Sequence, residues 1–334
     1  MRSVQQHRWC ELIKNSVTKQ ILAVILLVGS PLMAWPQYPA KPVRIIAAST
    51  ATSGDLLARY LGQRLSERWG QPVVIENRSG AGAVLAAELA AKAAPDGYTV
   101  HLGQHGSFAA APSLYKKLSY DPLKDFAPIT HYAFVPLIIV ANPSLAAGNM
   151  KALVEYVKAR PGAVHYSSGG AGGAGHLNFE MMNHAFALKF VHVPYKGIGA
   201  ALTAVLSGEV QLSAVPVPVA LPQIKAGKVK AYAISSKNRF SGAPDISTVA
   251  EAGFPGFEAV TWFAMFAPAR TPVDILRTLN RDMVGIISTP SVRAWLVAQG
   301  TEPAPGTPEE LTAFLKSDIE KWGKVIRMAG IKAE

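Results

Sequence analysis

The sequence offers little of what covalent and metal chemistry needs. It contains one cysteine, Cys10, which lies ahead of the first apolar run. Everything after that run is therefore free of disulfide and thiol chemistry. A lipid-modified cysteine would follow the run, and Cys10 does not. No His-Glu-x-x-His or clustered Cys/His pattern occurs, and the 8 histidines are scattered, so no metal is expected. His101 and His105 are four apart, but in a strand and the loop after it, where that spacing does not align side chains. There is no Gly-x-Ser-x-Gly elbow and no Walker sequence. Neither a cofactor nor catalysis is expected.

Acidic residues are also scarce, 22 against 33 bases, for a formal charge of +11. Four of those bases (Arg2, Arg8, Lys14, Lys19) and one acid (Glu11) fall in the first 34 residues, leaving +8 beyond them. The later bases are dispersed, as in LYKKL and KAGKVK. No arginine-rich face or basic stripe interleaved with aromatics occurs, which argues against nucleic acid as a partner. A mild positive field suits an anionic solute.

Long apolar runs are confined to one place. Ile21–Ala34 reads ILAVILLVGSPLMA behind a basic start. It is shorter than the roughly 20 residues of a membrane span. A basic segment, a short apolar core and a small residue at Ala34 describe a secretory signal peptide over residues 1–34. An uncleaved anchor is the alternative. The remainder is expected to be soluble and, in a bacterium, periplasmic.

From Val43 onward strand and helix signals alternate. VRIIA (43–47), VVIEN (73–77) and TVHLG (99–103) are strand-like, with helical patterns at 55–69 and 82–94 between them. PLIIVAN (136–142), VHYSS (164–168), FVHVPY (190–195), VQLSAV (210–215) and VKAYAIS (229–235) continue the series. Helical stretches are expected at 150–160 and from near Gly175, Ile198 and Leu221, with three more at 272–288, 291–298 and 308–328. Thr307, Pro308 and the acids after them form a helix-start signal. Repeated strand–helix–strand units predict an α/β fold with mainly parallel sheets, and about 300 residues of it suit two lobes better than one.

The stretch YSSGGAGGAGHL, Tyr166–Leu177, contains a formal Gly-x-Gly-x-x-Gly match between a strand and a helix. A dinucleotide site also needs an acid at the end of the next strand. That strand ends in Pro194, Tyr195 and Lys196, with no acid. The loop keeps a simpler capacity: glycines turn backbone N–H groups one way, and the following helix adds its positive end. Such a place binds anions, carboxylates included. A connecting turn that binds nothing is the alternative.

Several segments together resemble a known family. They are YPAKPVRII (38–46), GQPVVIENRSGAGAVLAAELAAKAAPDGYT (70–99), LYKKLSYDPLKDFAPIT (114–130), HVPYKG (192–197), ALPQIKAGKVKAYAIS (220–235) and WFAMFAPARTP (262–272). The chain resembles the periplasmic solute-binding receptors of tripartite tricarboxylate transporters, the Bug/TctC type, from about Tyr38 to its end. The resemblance implies a two-lobe, clamshell fold of the type II periplasmic binding protein kind. One lobe would comprise 38–137 and 260–334, the other 138–259, with hinges near Val135–Ile138 and Gly256–Thr261. It implies a monomer that captures a small organic carboxylate and delivers it to integral membrane transporter subunits. An exported hydrolase using cleft Ser and His residues, or a sensor subunit, are the rival functions.

The resemblance implies that two loops, one per lobe, hold the ligand carboxylate. The first is AASTATSGD (47–55). It lacks the family's Pro–aromatic start and Gly-Gly pair and offers the hydroxyls of Ser49, Thr50, Thr52 and Ser53 instead. Asp55 matches an acid at the start of the following helix and is assigned a structural, capping role. In the second loop Ser168, Gly170, Ala171, Gly172, Gly173 and Ala174 are candidate contacts, with His176 beside them. Relatives often carry Thr or Ser at the positions of Gly173 and Ala174, so hydroxyl donors are exchanged across the cleft. Val215, followed by Pro216, stands where amino-acid-binding relatives carry an acid. An unpaired buried ammonium is costly, so a plain carboxylate with an apolar or aromatic body is expected. Strand ends add His105, Gly106, Ser107 and Tyr195 as contacts, with Lys196 nearby.

Overall fold

The computed structural model describes residues 38–48 and 53–332. The expected leader, residues 1–34, lies outside the described residues. So do Ser49, Thr50 and Thr52 of the first candidate loop.

Two sheets organise the chain from Lys41 onward. The first contains β1 (Val43–Ala47), β2 (Val73–Asn77), β3 (Thr99–Gln104) and β4 (Phe126–Val135). The second contains β5 (Leu137–Ala141), β6 (His165–Ser168), β7 (Val191–Pro194), β8 (Leu212–Pro216) and β9 (Lys230–Ile234). The chain then returns to the first sheet as β10 (Thr261–Pro268) and β11 (Glu302–Pro303). The orders are β11-β4-β10-β3-β1-β2 and β7-β6-β8-β5-β9. Pro136 alone separates β4 from β5.

Helices cover the sheets. Around the first lie α1 (Ser53–Trp69), α2 (Val84–Ala91) and the short α3 (Ala111–Leu114). The second sheet takes α4 (Met150–Lys158), α5 (Ala174–Ala185), α6 (Ile198–Ser207) and α7 (Val217–Lys225). The chain ends with α8 (Val273–Ile287), α9 (Pro290–Ala298) and α10 (Pro308–Met328). Local sequence explains these elements. In α1, Leu57, Leu61 and Leu65 recur every fourth residue and are buried. β5, LIIVA, is buried throughout and carries no polar face, as a strand covered on both sides must. α10 begins with a full capping box: Thr307 Oγ1 accepts from the Glu310 N–H, and Glu310 Oε2 accepts from the Thr307 N–H.

Two expectations change. Both sheets are mixed, not mainly parallel. β1 is parallel to β2 and β3, whereas β10 runs antiparallel to β3 and β4. β6 is parallel to β7 and β8, whereas β5 is antiparallel to β8 and β9. The cause is the chain path. β4 runs straight on through Pro136 into β5, and the returning β10 inserts between β4 and β3, so no helical crossover sets its direction. β4 itself, FAPITHYAFV, reads poorly as a strand because it carries a proline and a histidine. α7 also starts four residues before the expected Leu221. Pro218 sits in its first turn, where no N–H is needed.

One buried carboxylate ties the last helix to β10. Asp318 is 2% exposed and accepts from Trp262 Nε1 at 2.8 Å and Trp322 Nε1 at 3.0 Å. The Lys321 ammonium lies 2.8 Å from the same group. Removing the acceptor leaves two buried indole donors unpaired, so Asp318→Ala should lower the unfolding free energy by about 3 kcal/mol. Asp318→Asn, which keeps one acceptor oxygen, should lose less. Urea unfolding of the two variants measures both.

Candidate ligand-binding cleft

A cavity of about 450 Å³ opens between residues of the two sheets. Gly82, Gln104, His105, Gly106, Leu114 and Tyr115 line it on the side of the first sheet, together with Thr261, Trp262 and Phe263. Ala171, Gly172, Gly173 and Ala174 line it from the second. The strand ends explain the meeting. β3 finishes at Gln104, and its antiparallel neighbour β10 pairs Phe263 with Gln104. The start of β10 therefore lies where β3 ends.

The glycine loop joins β6 to α5 and is held from below. Gly172 has φ +70°, in the region that favours glycine. A Cβ there would also come within 3.2 Å of the Leu114 side chain and 3.9 Å of Ile331. At Gly175 a Cβ would lie 2.8 Å from the Ala214 carbonyl oxygen, so only glycine lets α5 start this close to β8. Several loop N–H groups have internal acceptors. Gly170 N–H donates to Ser168 Oγ at 3.2 Å, Gly172 N–H to His176 Nδ1 at 2.9 Å, and Gly173 N–H to the Gly170 carbonyl at 3.3 Å. The N–H groups without an intrahelical acceptor are those of the first turn of α5, from Ala174 on. These carry the positive end of the helix dipole. The donors without an intrahelical acceptor therefore sit at the helix start more than in the loop as a whole.

No charged side chain lines the cavity among the described residues; its polar side chains are Gln104, His105, Tyr115 and Thr261. His105 is 4% exposed, and its Nε2 has no hydrogen-bond partner among the described residues. Burial lowers its pKa to about 4, with Asp318 opposing and Lys321 assisting. Its ring meets the Trp322 ring edge-on at 4.9 Å.

The remaining candidates are dispersed. Ser107 is buried, and its carbonyl accepts from the Tyr120 hydroxyl at 2.6 Å. Val215 and Pro216 line a second cavity of about 160 Å³, which shares Gly173 and Ala174 with the cleft. Tyr195 donates its hydroxyl to Glu209 at 2.7 Å, and Lys196 is exposed. Ser53 is exposed at the start of α1, and Asp55 in the same turn pairs with Arg59 at 3.0 Å.

Ser168 lies behind the loop in a cluster that sequence reading missed. Its Oγ is 2.7 Å from His192 Nε2. The His192 and His176 rings stack with centroids 3.8 Å apart and planes at 12°. Burial lowers both pKa values to about 4, and for His192 the neighbouring His176 adds to the effect. Also missed were Gly82, Gln104, Leu114, Tyr115 and Thr261–Phe263. WFAMFAP is an apolar run that is not assigned as a strand from sequence, and only its antiparallel register against β3 brings its first residues to the cleft. His192 carried no signal, being separated by 16 positions from the histidine it stacks on.

The model for the tripartite tricarboxylate transporter family receptor matches residues 57–331. The chain belongs to that receptor family. It is 35% identical over 320 residues to the protein BugT of Bordetella pertussis, spanning 94% of this chain and 98% of the relative. Among solved structures it is similar to R. palustris Rpa4515 with adipate, with a TM-score of 0.76 and 33% identity, covering 88% of this chain and 99% of the other. It is also similar to MatC from Rhodopseudomonas palustris with bound malate, with a TM-score of 0.71 and 31% identity, covering 86% and 100%. The two-lobe α/β fold of periplasmic binding proteins is thus shared by receptor and relatives. Among the described residues no group of three or more His, Cys, Asp or Glu is placed to hold a metal ion.

Four buried imidazoles of this receptor, His101, His105, His131 and His176, and the half-buried His192 are lowered to about 4, each chiefly by desolvation. Unfolded, each would titrate near 6.5. The unfolded chain therefore takes up protons first, and stability present above pH ~6.5 is lost as pH falls toward 4. Calorimetry from pH 7.5 to 4.5 should show a Tm that declines below about 6.5. A flat Tm over that range would mean that these imidazoles titrate alike in the folded and unfolded chains and that burial does not lower them.

Proposed function

We propose that this receptor captures a small organic anion, a carboxylate, between its two lobes in the periplasm and hands it to the membrane subunits of a tripartite transporter. The observation that carries this reading is the start of α5, whose first N–H groups have no intrahelical acceptor and no side-chain cap among the described residues, facing a cavity that holds no charged side chain among the described residues. A volume of about 450 Å³ is in the range of small-molecule sites. Relatives with bound adipate and malate support the ligand class. Residues 1–34 would serve as the export signal. Residues 38–137 with 260–334 would form one lobe and 138–259 the other, hinged at Pro136 and in the segment before Thr261. The receptor would act as a monomer and not as an enzyme.

The lining also bears on the ligand's body. An ammonium would find no carboxylate partner among the described lining residues, so amino acids are disfavoured. Trp262, Phe263, Tyr115 and Leu114 suit an apolar or aromatic body instead.

One rival reading has a specific observation behind it: Ser168 Oγ and His192 Nε2, 2.7 Å apart, have the contact of a nucleophile and its base. The surroundings argue for bracing instead. Ser168 is 2% exposed, and its Oγ also meets the Gly170 carbonyl at 3.0 Å and the Gly170 N–H at 3.2 Å. Behind His192 lies the face of another imidazole, where a base would need an orienting carboxylate.

Thermal unfolding of residues 35–334 against malate, adipate, aromatic acids and amino acids tests the proposal. A ligand at a hundredfold its Kd should stabilise by about 2.7 kcal/mol, a shift of a few degrees. Shifts with carboxylates and none with amino acids are expected; a shift with amino acids alone would overturn the reading. Ala174→Asp gives a second test with opposed signs. A carboxylate in the first turn favours the helix dipole, so Tm should hold or rise, while it occupies the anion's place and should weaken carboxylate binding by at least about tenfold.

A further inference from the structure

The proposed anion seat depends on the loop before α5, and two histidines hold that loop. We propose that His176 and His192 are its positioning residues, and that a proton on His176 releases it, so that carboxylate binding weakens as the surroundings become acidic. The inference rests on the reading of the α5 start as the anion site.

The geometry is specific. Because His176 Nδ1 accepts the Gly172 N–H at 2.9 Å, the ring is neutral with its proton on Nε2. Adding a proton at Nδ1 turns that acceptor into a donor. Gly172 N–H would then face N–H, and the bond that fixes the cleft-lining glycine is lost. His192 holds the other end of the loop through Ser168, whose Oγ accepts the Gly170 N–H. The two rings are 3.8 Å apart face to face, so a charge on either opposes a charge on the other.

The other groups around the pair do not substitute for these contacts. From α5, Glu180 Oε1 stands 3.9 Å from His176 Nε2, beyond hydrogen-bond reach, and it accepts instead from the Tyr166 hydroxyl at 2.8 Å and Asn183 Nδ2 at 3.2 Å. From β6, the Tyr166 ring lies 5.0 Å from His192. The Tyr195 hydroxyl after β7 is engaged with Glu209. β8 and α10 also pack on α5, and no charged group of either acts on the two imidazoles.

Neutral in the held loop and free to titrate near 6.5 once released, His176 couples the loop to pH. Its pKa of about 4 in the held state allows acid to shift the balance toward the released loop by up to roughly 300-fold.

The test needs no ligand, so it stands apart from the carboxylate panel. Nitrogen-15 NMR of the 35–334 chain would follow the imidazole nitrogens and the Gly172 amide from pH 7.5 to 3.5. Expected are an Nε2–H tautomer for His176 at neutral pH and a Gly172 amide that shifts and exchanges faster as His176 protonates. His176→Asn keeps an acceptor near the Nδ1 position and cannot titrate, so its Gly172 amide should show no such transition. His192→Gln keeps a partner for Ser168, and its Gly172 transition should survive with a midpoint moved upward, because a neighbouring charge can no longer form. A wild-type Gly172 amide that stays unchanged while His176 protonates would overturn the proposal. So would a transition that persists unaltered in His176→Asn. If that variant fails to fold, the wild-type and His192→Gln titrations decide alone.

Discussion

The architecture of the cleft depends on a carboxylate that never reaches it. Asp318 accepts from two indoles at once, Trp262 on β10 and Trp322 on its own helix. Trp262 lines the cavity, and Trp322 backs His105, which lines it too. α10 also packs on β4, on the turn that follows β3 and on α5, so it touches parts of both sheets. A helix fixed by a buried, fully engaged acid is stiffer than one held by apolar contact, because each indole has one direction in which its N–H is satisfied. The floor of the cleft is thereby set before any ligand arrives.

As a carboxylate site, the cavity would use weak electrostatics. A helix start presents roughly half an elementary charge and contributes about 0.3–2 kcal/mol to an anion. A buried arginine would attract more strongly but would carry a large desolvation cost of its own. A receptor must release what it captures, and dipoles suit that better than a full countercharge does. On the proposed reading, specificity would fall to shape and to the apolar surfaces of Trp262, Phe263 and Leu114.

Local signals were enough for most elements. β1, β2 and β5 are apolar runs of strand length, α10 announces itself through Thr307 and Pro308, and the glycine loop stands out between a strand and a helix. What was hidden depends on pairing between distant segments. β4 carries Pro128 and His131, and only its place between β10 and β11 makes it a strand. The direction of β10 cannot be read from TWFAMFAP, yet that direction brings Thr261, Trp262 and Phe263 to the end of β3. His105 and the loop from Ala171 to Ala174 were legible as cavity lining because both follow strand ends of an α/β fold. The stack of His192 on His176 was not, since no local pattern links the start of a helix to the strand that follows it.

Gly172 faces Leu114 and Ile331, which belong to the side of the first sheet. The space left by its missing side chain is what lets the two sides come within van der Waals contact at the mouth. Position 172 therefore acts as a doorstop left out: a Cβ there would already press on Leu114 at 3.2 Å, and the facing side chain would have to give by a few tenths of an ångström. How near the two sides approach is set by an atom the protein does not have.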